Sequence, residues 1–180
     1  GYQISIKYSE EKVVQKVFVK FDGLLFEAGL SPLRSQKFSI KLEVDTNPPL
    51  GAIFQTYLVN KYFPISFCSY DLASLFAGKL GAILTRSYTK GRDFYDAAWF
   101  LSRWKDLIPN IVFLETGLKQ TGWQGEKITL ENWRDQLYQK VDTTDWQRVE
   151  EDVTNFLEHP SDMKIFTKEN VLQMIKSGLT

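Results

Sequence analysis

The chain has 180 residues, 22 Lys+Arg against 22 Asp+Glu, and is 43% hydrophobic and 14% aromatic, a composition that supports a packed core and excludes a disordered or fibrous chain. No apolar run approaches the roughly 20 residues needed to cross a bilayer. Residues 1–9 lack the basic start and apolar centre of a signal peptide, which makes the cytoplasm the expected compartment. One cysteine, Cys68, and one histidine, His159, exclude an internal disulfide and a His-rich zinc site, so any metal chemistry has to run on carboxylates. The neutral total conceals an asymmetry: residues 1–105 carry 14 Lys/Arg and 9 Asp/Glu, residues 106–180 carry 8 and 13. A mildly basic front half gives modest support to a phosphate-bearing ligand.

Alternation in residues 2–8 and 17–21 predicts two strands pairing as a hairpin across 9–12. A third strand is predicted over 37–45, stopping at Asn47-Pro48-Pro49, because proline cannot donate to a ladder and restricts the residue before it. Residues 54–59 and 65–68 read as shorter strands. From Asp71 onward the period is helical: Leu72, Leu75, Phe76, Leu80, Ile83 and Leu84 form one apolar stripe behind Asp71 as N-cap. Further helices are predicted over 92–104 and 110–118, and a fourth is marked by Leu130, Trp133, Leu137 and Val141. A fifth, marked by Trp146, Val149, Val153, Phe156 and Leu157, is opened by the capping-box pattern Thr144-x-x-Gln147 and closed by Pro160; a short last one follows Thr167. The expected fold class is α+β, with part of a mixed sheet in 1–70 and a bundle of five or six helices in 71–180.

Lys79 follows Leu72 by seven positions, so it sits in the apolar stripe and should face inward. An ammonium there needs a carboxylate, a phosphate or a route to water, and Gly78 and Gly81 beside it allow a backbone or ligand close approach. Lys90-Gly91-Arg92-Asp93-Phe94-Tyr95-Asp96 puts two carboxylates three apart on one helix face. They suit either plain capping, with Asp93 as N-cap, or a magnesium ion with Lys90 and Arg92 serving phosphates. Strand alternation places Lys41, Glu43 and Asp45 together, either as a solvated face or as metal-binding acids before a sharp turn. Cys68 is expected to be buried and His159 to cap a helix end. The five tryptophans, at 99, 104, 123, 133 and 146, are expected to pack in the core rather than stack on bases.

The segments SIKLEVDTNPP (39–49), YDLASLFAGKL (70–80), KGRDFYD (90–96) and DVTNFL (152–157) resemble the AbiEii/AbiGii toxin family of nucleotidyltransferases. The resemblance implies a polymerase-β-like fold whose sheet carries carboxylates for magnesium and a nucleoside triphosphate, with helices completing the site. It implies a toxin of a toxin–antitoxin pair in phage defence, with RNA, transfer RNA in some relatives, as acceptor and an antitoxin as partner. Carried over, Glu43 is the third metal-site carboxylate and Asp45 its neighbour, Lys79 meets the nucleotide phosphates, Asp93 is the aspartate of R-D-x-Y-D, and Asp96 its partner. The family's first motif, a G-[GS] turn followed by D-x-[DE], has no counterpart in residues 1–22. The chain therefore reads as the later part of a longer protein or a degenerate member, and residues 1–180 alone are expected to be inactive. The rival reading is a noncatalytic module whose helices bind a protein, with Asp93 and Asp96 merely capping. A carboxylate-based nuclease is a third, and leaves Lys79 unexplained.

Overall fold

The computed structural model describes residues 4–9, 13–157 and 160–177, and the chain divides into two compact units, Gly1–Pro48 and Pro49–Thr180. In the first, strands β1 (Ile4–Ser9), β2 (Val14–Phe21) and β3 (Phe38–Asp45) form an antiparallel sheet in that order. The expected hairpin pairs Ser9 with Lys16, and β2 then sets Lys16 opposite Glu43. A single helical turn, α1 (Leu24–Glu27), lies between β2 and β3. The start of the expected first strand, residues 2 and 3, lies outside the described residues.

The second unit opens with an antiparallel hairpin, β4 (Phe54–Asn60) and β5 (Pro64–Tyr70). The α+β class is as expected, but the strands form two separate antiparallel sheets instead of one mixed sheet. The connections β1–β2 and β4–β5 are hairpin-length, far too short for the crossover that parallel pairing requires. Cys68 is exposed, not buried, since among the described residues β5 has only β4 beside it in its sheet and Phe67 and Ile65 are exposed as well.

The core belongs to the helices. Helix α2 (Leu72–Thr85) begins as predicted, the Asp71 carboxylate accepting from the Ser74 N–H at 2.8 Å. It packs against α3 (Gly91–Arg103), α4 (Ile111–Gln120) and α5 (Trp133–Thr143). Phe76, fully buried on α2, meets Phe100 at 5.4 Å and the edge of Trp133 at 5.6 Å between ring centroids. Helix α6 (Trp146–Thr154) packs on α3, and α7 (Lys168–Lys176), capped by Thr167, packs on α5 and α3. Two helix-end expectations fail. Asp145, not Thr144, is the N-cap of α6, and the Thr144 hydroxyl instead donates to the Lys140 carbonyl at 2.6 Å, one turn back in α5. The fifth helix also ends before Phe156, and Pro160 opens a 3-10 turn (Pro160–Lys164). His159 lies outside the described residues.

Candidate functional site

Lys79 lies on α2 and Arg86, seven residues on, is the residue that caps its C-terminal end, while Asp93 and Asp96 stand one turn apart on α3. The crossing of the two helices joins them. Lys79 Nζ lies 2.6 Å from Asp96 Oδ2 and 3.3 Å from Asp93 Oδ1. Arg86 Nη1 lies 2.8 Å from Asp93 Oδ2, although its N–H is not aimed along that line and neither atom completes a regular hydrogen bond. The contact is ionic, and its directional capacity is unspent. Asp93 is only 4% exposed, while the side chains of Arg86, Lys79 and Asp96 are 30, 37 and 41% exposed. A carboxylate so deep in the protein requires compensation, and two cations supply it.

The geometry shows where the two aspartates and the lysine face. The N-cap of α3 is Lys90, so Asp93 is not the cap; it lies in the first turn with its carboxylate turned to α2. Lys79 faces inward and finds two carboxylates, its head remaining in reach of water. Burial opposes the Lys79 charge, but the hydrogen bond and charge of Asp96, joined by Asp93, outweigh it and hold the ammonium above its ordinary value of 10.5. A raised lysine contributes stability that is complete below its unfolded value and disappears as pH climbs through the folded one. We therefore expect Asp96→Asn, which removes the strongest Lys79 partner, to lose up to about 1 kcal/mol at neutral pH and to converge on the parent as pH climbs through the folded lysine value. A stability gap that persists undiminished in alkali would refute this assignment.

Beside the cluster lies a polar pocket of about 80 Å³, lined by Arg86, Ser87, Lys90, Asp93, Lys140 and Thr144 among others. Three cations and four hydroxyl-bearing residues against one carboxylate suit an anion the size of a phosphate group. Lys90 is thus part of the assembly. Arg92 is not: its guanidinium lies 4.0 Å from the Phe156 ring centroid and its Nε 4.0 Å from Asp152 Oδ2, on the α6 side. Sequence reasoning missed Arg86 and Lys140. Arg86 carried a signal, since it follows Lys79 by the same seven-residue step that picked out Lys79.

Glu43 and Asp45 belong to the other unit. Glu43 is paired with Lys41 at 2.8 Å and with Lys16 at 3.3 Å across the strands, and hydrogen bonds from these two lysines hold its carboxyl below the usual value. Asp45 Oδ1 accepts from the Asn47 N–H at 2.9 Å in the turn that ends β3. Among the described residues no three His, Cys, Asp or Glu side chains converge. Asp93 and Asp96 already face cations that a metal would have to displace. These residues do not complete the oxygen cage that magnesium demands, and we derive no step through a metal.

An inward lysine gripped by paired aspartates thus lies beside a cationic pocket in the second unit of an α+β chain. Residues 3–168 match the family described as nucleotidyl transferase AbiEii toxin, type IV TA system, and the chain belongs to that family. No curated protein and no solved structure matches it. Among the described residues no helix is long and apolar enough to cross a membrane.

Proposed function

We propose that the protein transfers a nucleoside monophosphate from a nucleoside triphosphate to an acceptor hydroxyl on RNA, transfer RNA being the acceptor class to test first. The observation that carries this reading is Lys79, charged, half-buried and held in place by Asp93 and Asp96. The acceptor hydroxyl gives up its proton to water as its oxygen bonds to the α-phosphorus, the bond from that phosphorus to the bridging oxygen breaks, and pyrophosphate leaves with the electron pair of that bond. Catalysis of this kind is mostly positioning and charge stabilisation. Lys79 supplies a fixed positive charge to the phosphates, Arg86, Lys90 and Lys140 extend it, and Asp93 positions Lys79 and Arg86. Asp93 is a poor general base here because both of its oxygens face cations.

The reaction is magnesium-dependent in this reading. The other partner is the antitoxin of the same system, and the compartment is the cytoplasm.

The test incubates the protein with magnesium, each labelled nucleoside triphosphate in turn, and total cellular RNA. Label should enter RNA, and Lys79→Ala should lower its rate by about 100-fold or more, with the thermal midpoint changed by only a few degrees. No label with any nucleotide from folded protein would overturn the reading in favour of a protein-binding module. Undiminished labelling by Lys79→Ala would remove Lys79 from the site.

A further inference from the structure

Apart from the Lys79 cluster, the second unit contains a cleft of about 290 Å³ between α3, the 3-10 turn and α7. Tyr95 and Trp99 from α3 and Phe166 form its aromatic walls, Ala98 and Met174 lie among its apolar lining, and Asp162 supplies a carboxylate. Phe166 is 4% exposed and set edge-on to Tyr95 at 5.1 Å, whereas Trp99 is 43% exposed. Trp99 is thus the tryptophan that departs from the expected core role: edge contacts with Phe100 and Trp104 fix its ring, each at 5.3 Å between centroids. Among the described residues no hydrogen bond or ion pair engages the Asp162 carboxylate.

We propose that this cleft seats the nucleobase of the nucleoside triphosphate. The proposal rests on the reading that Lys79 meets the phosphates. Asp96, the closest partner of Lys79, and Trp99 are three apart on α3, so the cleft begins one helical turn from the phosphate-facing lysine. A cleft near the lower end of ligand-sized cavities holds a single heterocycle. A fixed, half-exposed indole offers a stacking face, which is how proteins grip bases without a groove to read. The Asp162 carboxylate accepts, so it favours bases that present an exocyclic amino group, adenine, cytosine and guanine, over uracil, whose one edge donor is an N3–H flanked by two carbonyl oxygens that face the carboxylate unfavourably. A cationic guest is disfavoured because the Arg103 guanidinium already lies 5.7 Å from the Trp99 centroid.

Binding of adenosine, cytidine, guanosine and uridine, and of the four triphosphates, to the protein tests this by ligand-observed NMR titration. The three amino-bearing nucleosides should bind at least about fivefold tighter than uridine. Trp99→Ala should weaken all of them about tenfold, Trp99→Phe should restore most of the loss, and Asp162→Asn, a surface change that spares the fold, should erase the preference over uridine. Lys79→Ala should weaken the triphosphates and leave the nucleosides unaffected. Failure of the nucleosides to bind, or binding indifferent to Trp99 and Asp162, overturns the base site, and Lys79-dependent triphosphate binding in that case leaves the phosphate reading intact. Trp99-dependent capture of an RNA oligonucleotide or a lysine-rich peptide, with nucleosides unbound, overturns it too. Trp99-dependent nucleoside binding with triphosphates indifferent to Lys79 instead overturns the phosphate reading alone.

Discussion

Asp93→Asn is expected to abolish detectable nucleotide transfer and to destabilise the second unit by about 2 kcal/mol. The volume is conserved, so neither loss can be assigned to packing. An amide has one accepting oxygen, and whichever way it turns, its NH2 faces either the Lys79 ammonium or the Arg86 guanidinium. With the NH2 turned to Arg86, the guanidinium keeps, among the described residues, only its aromatic contact with Tyr88, at 5.7 Å to the ring centroid. Breaking a fully buried ion pair costs about 3–5 kcal/mol; partial exposure of both cations lets water recover part of that. With about 2–4 °C per kcal/mol for a chain of this size, the thermal midpoint should fall by about 4–8 °C. Asp96→Asn is the control. Its carboxylate is 41% exposed, and exposed pairs contribute at most about 1 kcal/mol, so its loss at neutral pH should be several-fold smaller. Equal midpoints for the two variants in differential scanning calorimetry would show that burial of Asp93 does not set the strength of this cluster.

That contrast also shows what the sequence made legible. Lys79 stood out because a charge at a core position of α2 violates the helical period, and such a violation points to a partner even before the partner is known. Its partner was not legible in the same way. An aspartate at the start of a helix has a sufficient local explanation in capping, and nothing in the spacing of α2 and α3 says that their crossing brings residues 79 and 93 together. The strands were legible from alternation, and Asp71 and Thr167 from their caps, since these are short-range effects. What alternation does not encode is whether anything covers the resulting face. Phe54 and Leu58 on β4 are 66 and 71% exposed, and Leu42 and Val44 on β3 are 52 and 57% exposed, although all four have the pattern of core residues. Trp99 is the same case in a helix: its apolar character suggested the core, and its exposure beside an unpaired carboxylate gives it a different use.

Gly91→Ala is expected to be the most damaging single-methyl addition in the site, because of where α3 begins. A Cβ on Gly91 would stand 2.2 Å from the Val149 carbonyl oxygen and 3.0 Å from both Val149 C and Val153 Cγ2. The first obstacle is the backbone of α6, which cannot rotate aside as a side chain could, so the two helices must separate by about 1 Å to restore van der Waals distance. Overpacking of this kind costs about 1–3 kcal/mol and more where backbone is the obstacle; we expect about 3 kcal/mol and a fall of about 6–12 °C in thermal midpoint. The functional consequence follows from register. Asp93 and Asp96 lie two and five residues beyond Gly91 on the same helix, so a displaced first turn withdraws both carboxylates from Lys79. A shift of about 1 Å in a positioning group can lower a rate by 100-fold. Transfer should therefore fall even at temperatures where the variant is fully folded, and hydrogen exchange should quicken along the first turn of α3 and in α6 while α4 stays protected. A variant as stable and as active as the parent would show that α3 and α6 open without disturbing the lysine–aspartate cluster, and would separate the glycine's role from the chemistry of the residues that follow it.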